Sequence, residues 1–314
     1  MRRLLWLVAA ALLAAGCSTA SGGEAAGPRP VPLPLGGAAD FTAGESALLH
    51  RAEELGVRAC MRDRGFAYRP VPPPAGRRGT GESPYGLLSV REAAQDGYGM
   101  TGARLRPPPP DPNASRLDRL PAAERREWER ALKGDAEGPA AREIGAPGGP
   151  KVIVPTDSCV FAARKEVYGP GWEERYLWAQ SLRNEVVRDT LAARDVRRSV
   201  ARWSDCMREH GHDFAALDDG PRVIQRKLDR ADRTRGGVPA LRAAGRAELA
   251  LAERDARCQS DADLTAAVAA AQRRREAALP GAQTGRLAVF REARDRALAR
   301  AADMSRASHS GTSK

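Results

Sequence analysis

The chain has 314 residues, 51 basic against 40 acidic side chains, a formal charge of +11 and only 5% aromatic residues. That length allows one or two domains with substantial cores, while scarce aromatics beside abundant Ala and Arg argue against a sheet sandwich and for helices. Of the 51 cations 46 are Arg, a bias that reflects a GC-rich genome rather than a binding site, although Arg also suits phosphate.

Arg2 and Arg3 lead into an unbroken apolar run, Leu4 to Leu13, that closes on Ala14-Ala15-Gly16-Cys17. A basic start, a short apolar stretch and small residues at its end make a secretory signal, and the run is too short to span a bilayer. The junction resembles the lipobox of bacterial lipoproteins, which implies that residues 1–16 are removed and that the Cys17 thiol is lipidated. Removal takes Arg2 and Arg3 and no acid, so the mature chain carries +9. Export also takes the chain away from nucleic acid, leaving anionic lipid headgroups and envelope polymers as the available polyanions.

Residues 17–40 are small, rich in Gly and Pro, with Pro28, Pro30, Pro32 and Pro34 at every second position. They read as an extended, lipidated flexible tether. Thr42 to Glu45 has the form of a capping box, and Leu48, Ala52, Leu55 and Ala59 follow at helical spacing, which predicts a helix from about Thr42 to Arg64 ended by Gly65. The stretch from Pro70 to Asn113 reads as mostly loop with a short helix near Val90 to Gln95. A charged helix carrying Trp128 and Leu132 opens near Leu120, and the Gly/Pro-rich stretch Gly134 to Pro150 reads as a hinge.

From Trp172 an apolar series continues through Trp178, Leu182, Val186, Val196, Val200, Trp203 and Met207, which predicts one long helix with a single stripe. A further amphipathic block runs from Pro239 to about Leu279, and Pro280-Gly281 separates it from a last helix, Thr284 to Ala302. Residues 305–314 read as a disordered tail. The expected organisation is a signal at 1–16, the tether at 17–40, a first helical unit with long loops at 41–170, a second at 171–304 and the tail.

Four cysteines remain after Cys17: Cys60, Cys159, Cys206 and Cys258. An even number in an exported chain implies disulfides, with three connectivities. Cys60-Met-Arg-Asp-Arg-Gly65 and Cys206-Met-Arg-Glu-His-Gly211 share a pattern, with Tyr68 and Phe214 each three residues past the Gly, and each sits at the end of a predicted helix. Two related units follow from this, with Cys60 paired to Cys159 and Cys206 to Cys258. A zinc site of Cys206, His210, His212 and Cys258 is the competing reading. Its Cys-x-x-x-His-x-His spacing is not a standard one and oxidation competes outside the cell, so disulfides are expected and no metal or other cofactor.

The paired Cys-Met-Arg-x-x-Gly motifs, with the lipobox and the long helical second half, resemble uncharacterised actinobacterial lipoproteins over most of the mature chain. The resemblance implies no catalytic or binding residues. The second copy departs from the first in having His212 where the first has Phe66.

None of His50, His210, His212 and His309 lies in a Gly-x-Ser-x-Gly or papain-like context, and no Gly-rich stretch has the strand, helix and Lys of a phosphate-binding loop. No catalytic residue is assigned. Trp178 and Trp203 lie on a Leu/Val stripe and read as core rather than as a ligand platform. The Arg-rich segments Arg194 to Arg202 and Arg273 to Arg275 are diluted by Asp195 and Glu276 and read as solvated faces. The expectation is a mainly α fold, helical hairpins or a bundle stapled by two disulfides, with long Pro/Gly-rich loops. Its expected place is the outer face of the cell membrane, held by the N-terminal lipid. Its expected role is non-catalytic binding or structure, with an anionic envelope polymer or a protein as partner; an extracellular hydrolase is the alternative.

Overall fold

The protein is represented by a computed structural model that describes residues 31–74, 83–106, 109–145 and 151–310. Cys17, the expected signal and most of the expected tether lie outside the described residues. The tether reading does not hold for the last part of 17–40. A 3-10 helix, Pro34–Gly37, buries Leu35, and Ala38 and Ala39 are buried beside it. The Leu35 N–H donates to Glu276 at 2.6 Å and the Gln272 amide donates to the Leu33 carbonyl at 2.8 Å. Composition alone predicts solvation here, but distant helices supply the apolar cover and the polar partners.

The first long helix, α1 (Ala43–Asp63), starts as its sequence predicts. Thr42 Oγ1 accepts from the Glu45 N–H and Glu45 accepts from the Thr42 N–H, so two otherwise unpaired donors are satisfied. Short helices follow, α2 (Val90–Asp96), α3 (Met100–Leu105) and α4 (Ala114–Leu117), and then α5 (Ala122–Lys133). The expected hinge at 134–150 contains a strand instead. Strands β1 (Ala141–Gly145) and β2 (Lys151–Pro155) pair antiparallel with Glu143 opposite Ile153. The β-branched run Val152-Ile153-Val154 carries that propensity, and the Gly/Pro content around it masks the signal.

Next come α6 (Cys159–Tyr168) and α7 (Trp172–Leu191). The single long helix expected from Trp172 is two: α8 (Arg194–Glu209) starts after Ala193, whose ψ of 141° is extended. No Gly or Pro marks this break, and the apolar spacing runs across it although the two helices face different partners. Helix α9 (Asp219–Arg233) falls in a stretch given no element by sequence reading. The block expected from Pro239 to Leu279 is likewise divided, into α10 (Gly237–Asp261) and α11 (Leu264–Ala277), at Asp263 with a left-handed φ of 52°. The last helix, α12 (Gly281–Ser310), starts three residues earlier than expected and continues past Ser305, whose hydroxyl donates to the Ala301 carbonyl at 2.8 Å, so the expected disordered tail is helical to Ser310.

The mainly helical fold carries the two disulfides that the repeated motif indicates, Cys60–Cys159 and Cys206–Cys258. The motif is also one local structure used twice. Met61 and Met207 are each 0% exposed, and Gly65 and Gly211 take left-handed φ of 82° and 83°. At each copy the N–H after the Gly returns five residues to the Met carbonyl, Phe66 to Met61 at 2.8 Å and His212 to Met207 at 2.9 Å. This is the glycine-ended helix stop that caps the last carbonyls. Tyr68 then stacks near Trp128 and Phe214 near Trp203, with ring centres 5.9 and 6.4 Å apart.

Four clusters of buried apolar residues form the core. One joins Leu35, Leu49 and Ala52 to Trp172, Leu182, Phe290 and Ala297; a second joins Leu88 and Tyr98 to Trp203, Ile224 and Leu251. A third surrounds Cys159 with Met61 and Trp128, and a fourth packs Tyr85 and Leu87 on Val196 and Val268. Three of these draw on both sides of residue 170, the expected boundary between units. Helix α10 docks the start of α3 and the segment before α2 with buried polar side chains: Glu248 accepts from the Met100 and Thr101 N–H groups, both at 2.8 Å, and Gln259 accepts from the Leu88 N–H at 2.9 Å.

Candidate functional site

Ser46, His50 and Glu53 fall at i, i+4 and i+7 on α1, one face of that helix. Arg164 and Tyr168 are i and i+4 on α6, and Trp172 and Tyr176 are i and i+4 on α7. The Gly169-Pro170-Gly171 turn joins α6 to α7 so that Tyr168 and Trp172 stack with centres 4.7 Å apart. With Phe41 and Leu49 these side chains line a cleft of about 320 Å³ open to solvent. That volume is in the range of small-molecule sites.

The aromatic wall is held from behind. Trp172, 2% exposed, lies between Tyr168, Tyr176 at 5.7 Å and Phe290 at 5.4 Å, separations at which offset rings attract. Phe41 is held at the rim by Arg294, whose guanidinium lies 4.9 Å from the ring centre and also pairs with Glu45 at 2.8 Å. The Tyr168 hydroxyl donates to Glu53, and burial first, then the Glu53 charge, pushes that phenol's pKa well up, so it stays protonated. Arg164 lies over the Tyr168 ring at 5.8 Å, and its Nε sits 3.5 Å from Glu173 without making a hydrogen bond. His50 Nε2 is 2.9 Å from the Val71 carbonyl, which ties the 66–71 segment to α1.

The cleft thus presents ring surface beside one guanidinium, one carboxylate, one imidazole and the hydroxyls of Ser46, Tyr168 and Tyr176. Ring surface and charged groups therefore face the same space. This set does not form a nucleophile and its base, because Ser46 and His50 share no hydrogen bond and Glu53 is occupied by Tyr168.

Of the side chains singled out in sequence, His50 is half-buried and lines the cleft, and nothing in its local sequence signals this. Trp178 and Trp203 are core, as expected, and Trp172 is the tryptophan that reaches the cleft. The Arg-rich segments brace helices: Arg274 pairs with Asp195 at 2.6 Å, Arg275 with Asp189 at 2.8 Å, and Arg202 donates to the Ala262 carbonyl at 2.7 Å. In the competing zinc reading two donors, Cys206 and Cys258, are bonded to each other; His210 lies beside them, its donor atom and both sulfurs within 4.8 Å of one another. His212 instead stacks on Phe214 at 5.3 Å.

No described helix is long and apolar enough to cross a membrane. Comparison of the chain with protein-family models, with curated proteins and with solved structures finds no match.

Proposed function

We propose that this chain is a lipid-anchored envelope protein that works by binding, with the cleft between α1, α6 and α7 as its ligand site. The observation that carries the binding role is the joint presence in one cleft of Phe41, Tyr168, Trp172 and Tyr176 with His50, Glu53 and Arg164. A saccharide unit of an envelope polymer suits it: the C–H face of a sugar ring packs on aromatic surface while its hydroxyls and charged groups meet a carboxylate and a guanidinium. Support for the location comes from the sequence around Cys17 and from two disulfides, which persist in oxidising compartments.

The test is a ligand-observed NMR titration of the purified soluble part with mono- and disaccharides from envelope polymers. Tyr176→Ala and Arg164→Gln should each weaken binding about tenfold, the effect of losing one good contact, with helicity unchanged. No saccharide binding, or binding indifferent to both changes, would overturn the assignment.

A further inference from the structure

The geometry points to a second, redox-gated site: on reduction of Cys206–Cys258, the two thiolates and His210 form a three-donor site for zinc. Cys206 and His210 stand at i and i+4 at the C-terminal end of α8, and Cys258 comes from α10, which packs against it. The three donor atoms already lie within 4.8 Å of one another. Two thiolates and an imidazole are the donors zinc prefers, and two Zn–S bonds of about 2.3 Å at a tetrahedral angle need sulfurs about 3.8 Å apart, a side-chain rotation from the closed bond. A water fills the fourth position, since His210 is exposed and the site opens to solvent on that side.

The other copy of the motif supplies the contrast. Its residue four after Cys60 is Arg64, which donates to the Ala131 and Asp157 carbonyls, and Cys60–Cys159 has no imidazole or carboxylate grouped with it among the described residues. The repeated helix stop needs neither Arg nor His at this place, so the imidazole beside only one of two equivalent disulfides is the feature a donor role accounts for.

An external dithiol supplies the electrons. Its thiolate attacks Cys206 Sγ, which is half-buried, while Cys258 is 1% exposed. The S–S bond breaks and Cys258 leaves as a thiolate. The second thiol of the reductant then attacks the mixed disulfide, freeing Cys206 and leaving as the oxidised dithiol, so two electrons have entered the pair. Zinc binding displaces the proton remaining on Cys206 and any taken up by Cys258.

Cobalt(II) tests this, because its thiolate charge-transfer and visible bands report ligands that zinc leaves silent. Reduced full-length protein should take one equivalent with bands of two thiolates, and the oxidised protein none. His210→Arg recreates the first motif and keeps the helix stop; folded when oxidised, as circular dichroism will show, it should bind cobalt at least tenfold more weakly once reduced. Bound zinc should also slow reclosure of the disulfide in the parent and not in the variant. Absence of binding by the reduced parent, whether folded or not, or equal binding by His210→Arg, would overturn the proposal.

Discussion

At the scale of single residues, the charged groups that matter most to stability are those with no water to fall back on. Asp255 is 0% exposed and accepts from the Tyr98 hydroxyl and the Trp203 indole, each at 2.8 Å, and from the Gln259 amide at 3.0 Å. Asp255→Ala leaves the buried Tyr98 hydroxyl and Trp203 indole without their acceptor, while the Gln259 amide keeps only the Gly86 carbonyl, and should cost about 3 to 5 kcal/mol in a urea titration. Burial, opposed by those three donors, raises the Asp255 pKa, so the folded chain holds this proton more tightly than the unfolded chain does. Its contribution is therefore complete below the unfolded carboxylate value of about 3.9 and declines as pH rises through the folded value. The stability difference between the parent and Asp255→Asn should accordingly be larger at pH 4 than at pH 7, and a difference that is flat or grows with pH would contradict this. Asp255 and Glu248 were not legible in the sequence, because an acid on an otherwise ordinary helix reads as solvated until the loop it serves is placed against it. The motif residues were legible, since Cys, Met and Gly each have a narrow structural use and occur together twice.

At the scale of elements, starts and stops with dedicated chemistry could be read and breaks without it could not. Thr42, Glu45 and Gly65 bound α1 as expected, whereas α7 gives way to α8 at Ala192-Ala193 with neither cap nor Gly nor Pro. Periodicity is preserved across that break, so a stripe of apolar residues cannot reveal it. Because Ala193 is the N-cap of α8 in extended conformation and provides no side-chain acceptor, Ala193→Ser should stabilise the protein by about 0.5 to 1 kcal/mol. Thermal melting that shows no gain would mean the turn is held elsewhere. Helix contact is set by small residues where α1 meets α6: a Cβ on Gly56 would lie 2.9 Å from the Ala163 Cβ. Gly56→Ala should therefore destabilise by about 1 to 3 kcal/mol despite its better helix propensity, since two backbones must move apart. The cleft depends on this pairing, so the same variant should also weaken ligand binding at the aromatic wall.

At the scale of the molecule, the fold class and both disulfide pairings could be read from the sequence, and the interleaving of the cores could not. The segment at 34–39 packs against α7 and α12, and Tyr85 packs against α11, contacts across more than a hundred residues that leave no local trace. The cleft was invisible for the same reason, being assembled from α1, α6 and α7. The disulfides brace this arrangement at sequence separations of 99 and 52, and on the chain-entropy account each constrains the unfolded state by about 4 to 5 kcal/mol. Cys60→Ser with Cys159→Ser should lower the urea midpoint accordingly, and an unchanged midpoint would show that the cores suffice alone. Both braces and the proposed envelope ligand presuppose export. The direct measurement is mass spectrometry of the protein isolated from its own cells, with membranes and cytosol analysed separately. The expected result is a membrane-bound chain beginning at an acylated Cys17 with both disulfides closed, and release from membranes on Cys17→Ser. A cytosolic chain that keeps residues 1–16 and carries four free thiols would contradict it.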